Sequence, residues 1–391
     1  MSSAPLVRDP DIARLLDDGY DISIEGDHLI IRHIPYLTAA GVVDYGFLAY
    51  PVSISGDRIV PQTDHRIWFG GSQPHQASGR PLRSVRAQRR QITPALQAQY
   101  MLSSKPGPNG YPDQYTKVTT YTRILAHEAQ AVDPSATATP GTSWAVVDDD
   151  SPFVYRDTAT SRAGLAALVQ RFHGEHIAIV GLGGTGSYIL DQVAKTPVST
   201  INIIDGDVLE NHNAFRAPGA ASLEQLQARP NKVDYYRSVY SRMHRGIVAH
   251  PEFLDETNLG LLEGATFVFL ASDEASTKPV IIDWLETRGI PFIDVGMGIE
   301  EVDGRLAGLL RVVTSLPGHR DHVANGNRIP TAAAPDDDYG RNIQIADLNA
   351  LNAVLAVIRW KRHLGFYADG AREGFSTYSL YLNELANEDP L

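Results

Sequence analysis

Two kinds of hydrophobic patterning divide this chain. Between residues 20 and 75 apolar and polar positions alternate, as they do in half-buried strands: Tyr20-Asp-Ile-Ser-Ile24, His28-Leu-Ile-Ile-Arg-His33 and Phe47-Leu-Ala-Tyr-Pro-Val-Ser-Ile54. Gly26-Asp27 and Gly56-Asp57 supply turn residues between them. A helical stretch is expected near residues 92–102, followed by the Pro/Gly-rich loop of residues 105–112. This half reads as a β-rich α+β domain over residues 1–150, with a connection at residues 132–152 marked by Pro134, Pro140, Gly141 and the run Asp148-Asp-Asp150.

From about residue 165 the period switches repeatedly between two and 3.6. His176–Val180, Thr200–Ile204, Ala265–Leu270 and Pro291–Val295 read as short buried strands. Ser187–Ala194, Asn231–Arg245 and Thr277–Thr287 read as helices between them. Such βαβα order predicts a doubly wound, Rossmann-like α/β domain over residues 151–391, with a mostly parallel sheet and helices on both faces. Ligands of such sheets bind beyond the carboxyl ends of the strands. Near the end, Ile343–Leu364 carries Leu348, Leu351, Val354, Leu355 and Ile358 at helical spacing, which predicts a core or dimer-forming face.

Composition changes this picture at three points. The 391 residues suit two domains. The formal charge of −12 argues against nucleic acid as the main partner, and the basic run Arg83, Arg86, Arg89 and Arg90 reads as a solvated helix face. Cysteine is absent, so disulfides, cysteine-ligated zinc and a cysteine nucleophile are excluded. No apolar run has the length of a membrane span, and the N-terminus lacks the layout of a secretory signal, so a cytoplasmic protein is expected.

The candidate chemistry begins at Val180-Gly-Leu-Gly-Gly-Thr-Gly186, which holds G-x-G-x-x-G at Gly181, Gly183 and Gly186 between a strand and a helix. Glycines let the backbone turn sharply and approach a phosphate, and the helix N-terminus offers free N–H groups. Asp205 ends the second strand, where an acid would receive ribose hydroxyls. These features fit NAD(P) and ATP equally. The run Asp205-Gly-Asp-Val-Leu-Glu-Asn-His-Asn-Ala-Phe-Arg216, then Lys232 and Asp273, adds cations that suit a triphosphate and an acid that suits magnesium.

In this order of elements the chain resembles the ThiF/MoeB/ubiquitin-activating superfamily of adenylyltransferases. The matching positions are Gly181, Gly183, Gly184 and Gly186, then Asp205, Asn213, Arg216, Lys232 and Asp273, over roughly residues 155–365. The resemblance implies that Asp205 binds ribose, with Asp207 beside it in the nucleotide site. It implies that Asn213, Arg216 and Lys232 contact phosphates and that Asp273 coordinates Mg2+. It also implies an arginine before the first strand that reaches a neighbouring adenylation site, here Arg162 or Arg156, and hence a homodimer. Residues 212–221 and 341–367 are similar to the activating enzymes of bacterial ubiquitin-like conjugation operons. That implies as partners a ubiquitin-like protein, presenting its C-terminal tail, and a conjugating-enzyme-like protein.

Many relatives carry an acyl-accepting cysteine on a loop crossing the adenylate site, and several bind zinc through paired cysteines. The matching loop here, residues 314–340, has none. Three routes remain. The acyl-adenylate is released to a partner's nucleophile; or Ser315 or Thr331, with His319 or His322 as base, takes the acyl group as an ester; or a cysteine has been replaced by engineering. Asp336-Asp-Asp338 reads as a solvated acidic turn. The reading is therefore ATP-dependent adenylation of a protein's C-terminal carboxylate. A nucleotide-binding scaffold without turnover and an NAD(P)-dependent oxidoreductase are its alternatives.

Overall fold

The computed structural model describes residues 7–55, 58–60, 64–107, 110–145, 147–148, 150–325, 328–330 and 343–391. It divides into two compact units, residues 1–151 with 155–163, and residues 152–154 with 164–391.

The first unit is an antiparallel sheet covered on one face by two helices. Its strands are β1 (Asp21–Glu25), β2 (His28–Leu37), β3 (Val43–Pro51), β4 (Ile67–Gly70), β5 (Val85–Thr93) and β6 (Leu96–Leu102), in the order β1-β2-β3-β4-β6-β5. The helices α1 (Pro10–Asp17) and α2 (Gln114–Gln130) start at capping aspartates: Asp9 accepts from the amides of Asp11 and Ile12, and Asp113 from that of Thr116. Ile12, Leu15 and Leu16 of α1 and Val118, Tyr121 and Leu125 of α2 bury against Leu29, Ile31, Leu48, Tyr50 and Phe69 of the sheet. Residues 132–145 are ordered, with Ala136 and Ala138 buried and the Gly141 amide bonded to the Gly19 carbonyl.

Two expectations fail in this unit. Residues 92–102 form the turn and second strand of the β5–β6 hairpin, and the helix lies later, at 114–130. Ala, Leu and Gln favour a helix locally, but β6 is hydrogen-bonded on both sides, to β4 and β5, and that pairing outweighs propensity. Arg86, Arg89 and Arg90 accordingly sit on an edge strand, not a helix, and the Arg90 guanidinium stacks over Trp68 at 4.0 Å.

The second unit is a three-layer α/β sandwich. Its sheet runs in the order β9-β8-β7-β10-β11-β12-β13-β14, formed by β7 (His176–Val180), β8 (Thr200–Ile204), β9 (Ile247–His250), β10 (Phe267–Leu270), β11 (Phe292–Val302), β12 (Arg305–Ser315), β13 (Glu373–Ser379) and β14 (Glu384–Pro390). The first five in that order are parallel; β12, β13 and β14 continue antiparallel. The longer helices are α3 (Gly184–Val193), α4 (Lys232–Tyr240), α5 (Lys278–Thr287) and α6 (Ala346–His363). The two-residue period of the strands sorts the layers. Ile177 and Ile179 face Ile189, Leu190, Val233, Val357 and Trp360 of α3, α4 and α6. Ala178 and Val180 face Ile281, Ile282 and Leu285 of α5.

The expected apolar stripe of α6 is corrected in part. Leu348 is buried, but Leu351, Leu355 and Ile358 are half-buried and Val354 is exposed. The core face instead carries Asn349, Asn352, Ala353, Ala356, Val357 and Trp360. Small residues let α6 approach the sheet, and two amides serve the cleft at the strand ends.

His244 carries a pH signature. It is fully buried; the Gly246 amide donates to its Nδ1 and its Nε2 faces the Val198 carbonyl at 3.0 Å. Both nitrogens are satisfied by the neutral ring, and desolvation lowers its pKa. An unfolded histidine protonates near 6.5, while the folded one resists. Stability from this group is therefore present above that value and is lost as pH falls through the lowered folded value. His244→Gln is expected to flatten the denaturation midpoint against pH below about 6.5; an unchanged slope would remove the assignment.

A candidate nucleotide-binding cleft

At the carboxyl ends of β7, β8 and β10, and beside Val295–Met297 of β11, the second unit opens into a cleft of about 570 Å³. The glycine loop forms its floor. Gly181 adopts φ +86°, and a Cβ there would lie 2.7 Å from the Ser272 amide nitrogen. A Cβ on Gly186 would lie 1.9 Å from the Gly181 carbonyl oxygen, so this glycine lets α3 start directly against the loop. Gly183 is different: it lines the cleft, and a Cβ there meets no atom within 4 Å. The loop is thus tight against protein on one side and open on the cleft side, beside the free N–H groups of the first turn of α3.

Asp205 and Lys232 form the wall next to the loop. Asp205, 7% exposed, accepts from the Leu182 amide at 2.6 Å and the Asp207 amide at 2.8 Å. Burial raises its pKa, opposed by the Lys232 charge and the two amides. Lys232, the first residue of α4 and 5% exposed, places Nζ 2.6 Å from Asp207 Oδ2 and 3.7 Å from Asp205 Oδ1. Its amide also bonds to the Asp207 carbonyl, so the lysine is fixed at both ends. Arg216 lines the cleft, and its buried Nε has no hydrogen-bond partner among the described residues. Asp273 stands at the far wall, exposed, accepting from Gln344 Nε2 at 3.0 Å.

The cleft therefore gathers Gly181, Gly183, Gly184, Asp205, Asp207, Arg216, Lys232 and Asp273. Other expected residues fall elsewhere. Asn213 does not line the cleft; it closes a capping box with Glu210, its Oδ1 accepting from the Glu210 amide at 2.9 Å. Arg156 belongs to the first unit, where its Nε meets Asp17 Oδ1 at 2.7 Å. Arg162 ends a short helix, Thr158–Arg162, and its side chain lies outside the described residues. Ser315 is no loop residue. It is the buried last residue of β12, paired with Phe292 at the start of β11 and not lining the cleft, and its hydroxyl donates to Glu286 Oε1 at 3.2 Å. Thr331 and Asp336–Asp338 lie outside the described residues.

Four contributions to the cleft escape a reading of the sequence. Phe253, 64% exposed, stands at the rim with its ring against Gly206. Asn349 of α6 presses against Gly184 and accepts from Thr185 Oγ1 at 2.9 Å, and Asn352 Nδ2 donates to the Gly296 carbonyl at 3.0 Å. Lys278 lines the β11 side and pairs with the buried Asp294. Only the two asparagines leave a trace in the sequence, as polar residues on a helix face otherwise apolar.

Similarity to known proteins agrees with this geometry. Residues 156–321 match the ThiF family and residues 10–158 match a domain of unknown function, DUF6791. The ThiF match falls largely within the α/β unit and spans the glycine loop, Asp205, Lys232 and Asp273. Among solved structures, E. coli MccB with ATP is 15% identical, covering 72% of this chain and 83% of that one at a TM-score of 0.45. PaaA is 18% identical, covering 57% of this chain and 76% of that one, also at 0.45. No curated protein matches. Among the described residues no helix is long and apolar enough to cross a membrane.

Proposed function

We infer that the cleft binds ATP and adenylates a carboxylate at the C-terminus of a protein or peptide, releasing pyrophosphate. The observation that carries this reading is the convergence of two cations, Lys232 and the incompletely bonded Arg216, on a glycine loop whose open side faces the same cleft. An NADP site would use cations at the ribose 2′-phosphate, where the acid Asp205 stands instead, and an NAD site has no comparable use for both.

The residues fit the nucleotide piece by piece. The adenine would lie against the exposed ring of Phe253. Asp205 would accept from the ribose hydroxyls. The α3 N-terminus, Arg216 and Lys232 would hold the phosphates. Lys232 already carries Asp207 and Asp205 as partners, so triphosphate binding would draw it from one set of anions to another. Asp273 would be the acid that holds Mg2+, which would balance phosphate charge. The substrate carboxylate attacks the α-phosphorus; its oxygen forms the new P–O bond as the bond to pyrophosphate breaks. Preorganised cations stabilise the charge that develops on the leaving group. No proton transfer by the enzyme is needed.

The finer reading is a ubiquitin-like protein as substrate, a conjugating-enzyme-like protein downstream and a homodimer in which Arg162 reaches the neighbouring site. Among the acyl routes, direct release to a partner is favoured over an ester at Ser315, because that hydroxyl is buried, bonded to Glu286 and does not line the cleft.

ATP–pyrophosphate exchange is the test. Purified protein with a ubiquitin-like protein bearing an intact tail is expected to exchange label, and a tail-truncated version is not. Exchange that ignores the tail, or tight NAD binding with no response to ATP, would overturn the reading.

A further inference from the structure

The β11 side of the cleft holds a charge imbalance that the nucleotide reading does not use. Asp294 is fully buried in β11, with one oxygen 2.6 Å from Lys278 Nζ and the other 2.7 Å from an Arg311 guanidinium nitrogen. Lys278 is itself buried, and Arg311 is mostly so. Neither cation has another ion pair among the described residues. Two cations thus share one carboxylate, leaving one positive charge in a desolvated cluster. Such a charge is costly unless an anion joins it. Lys278 and Gly296 bring the cluster to the cleft surface.

We propose that this wall is the subsite for the substrate's carboxylate, with Lys278 as its counter-charge; the proposal rests on the adenylation reading for the identity of that anion. The phosphate cations lie elsewhere. Lys232 meets Asp205 at the end of β8, and β7 and β10 stand between β8 and β11. Three strand spacings amount to about 14 Å, too far for one anion to be served by both sets. The glycine loop lies between them, after β7, where an α-phosphate would meet a carboxylate arriving from the β11 side.

The charge count makes a prediction that needs no activity. Lys278→Met leaves Arg311 and Asp294 as a balanced pair, so the melting temperature is expected to hold or rise. Asp294→Asn leaves two cations without a carboxylate and is expected to lower it clearly. In exchange assays Lys278→Met is expected to raise KM for the carboxylate substrate at least tenfold with KM for ATP unchanged. By calorimetry, a peptide copying the substrate's tail is expected to bind the wild type as the free acid but not as the C-terminal amide, and Lys278→Met is expected to lose that preference. A KM shift confined to ATP would assign the anion to phosphate and sink the proposal. So would destabilisation by Lys278→Met equal to that of Asp294→Asn, which would make the lysine structural. Normal exchange with unchanged KM in Lys278→Met would reject the subsite and keep adenylation. No exchange in the wild type, with Lys278-dependent preference for the acid, would reject adenylation and keep the subsite.

Discussion

Lys232→Ala is expected to lower ATP–pyrophosphate exchange by about 10²–10³-fold, the usual cost of removing a preorganised group that stabilises leaving-group charge. The substitution also has a structural consequence. Asp207 is half exposed and can turn to water, but Asp205 is buried and would lose its nearby cation. Removing one partner of a buried pair costs about 3–5 kcal/mol, an upper bound here because the Asp205 contact is long and two backbone amides still bond its carboxylate. The melting temperature should therefore fall along with activity. Adding Asp205→Asn to Lys232→Ala removes the uncompensated charge but turns an amide donor toward one of the two backbone N–H groups that Asp205 accepts, so only partial recovery of stability and none of exchange is expected. Exchange is to be measured well below the lowered melting temperature. A Lys232→Ala variant with wild-type exchange would end the assignment of this cleft to adenylation.

Two glycines of one loop should fail in opposite ways. Gly186→Ala drives a methyl onto the Gly181 carbonyl, which is backbone and cannot rotate aside. The start of α3 must shift, so lower stability and lost nucleotide binding are both expected, with a penalty of about 1–3 kcal/mol from overpacking. Gly183→Ala places its methyl in open space beside the cleft. Its melting temperature should stay near wild type while ATP affinity falls at least tenfold, because the methyl occupies the approach of a phosphate. Thermal melts with and without ATP separate the two: Gly183→Ala should melt like the wild-type apoprotein and gain little from the ligand. If both variants melt alike and bind alike, the loop does not cradle a phosphate.

Much of the second unit was legible because its local signals agree with its tertiary role. His176–Val180 and Thr200–Ile204 are strands with the expected bounds, since short, largely apolar runs that stop at Gly181 and at Asp205-Gly206 can be buried in few other ways. Asp205, Lys232, Arg216 and Asp273 were recognisable from order and spacing, and the fold brings all four to one cleft. The β-rich character of the first unit followed from the strand-like runs of β1, β2 and β3, although β2 is buried in continuous stretches and not on alternate residues. Its β5–β6 hairpin did not, because Ala, Leu and Gln favour a helix and only pairing with β4 makes them a strand.

What the sequence specified by itself was a candidate nucleotide site: a glycine loop between strand and helix, an acid at a strand end, and cations downstream. Absence of cysteine likewise excluded a thioester on this chain without any structure. The tertiary structure alone decided which side chains share the cleft and which are already committed. Asn213 is spent on a helix cap, Arg156 on Asp17, and Ser315 on Glu286 at the end of β12. It also decided that Lys278, Asp294 and Arg311 meet, residues 278, 294 and 311 lying on three separate elements. The physical reason is range. Backbone conformation and turn chemistry act over a few residues and leave a pattern in sequence, whereas charge pairing acts through space and leaves none until the strands are in order.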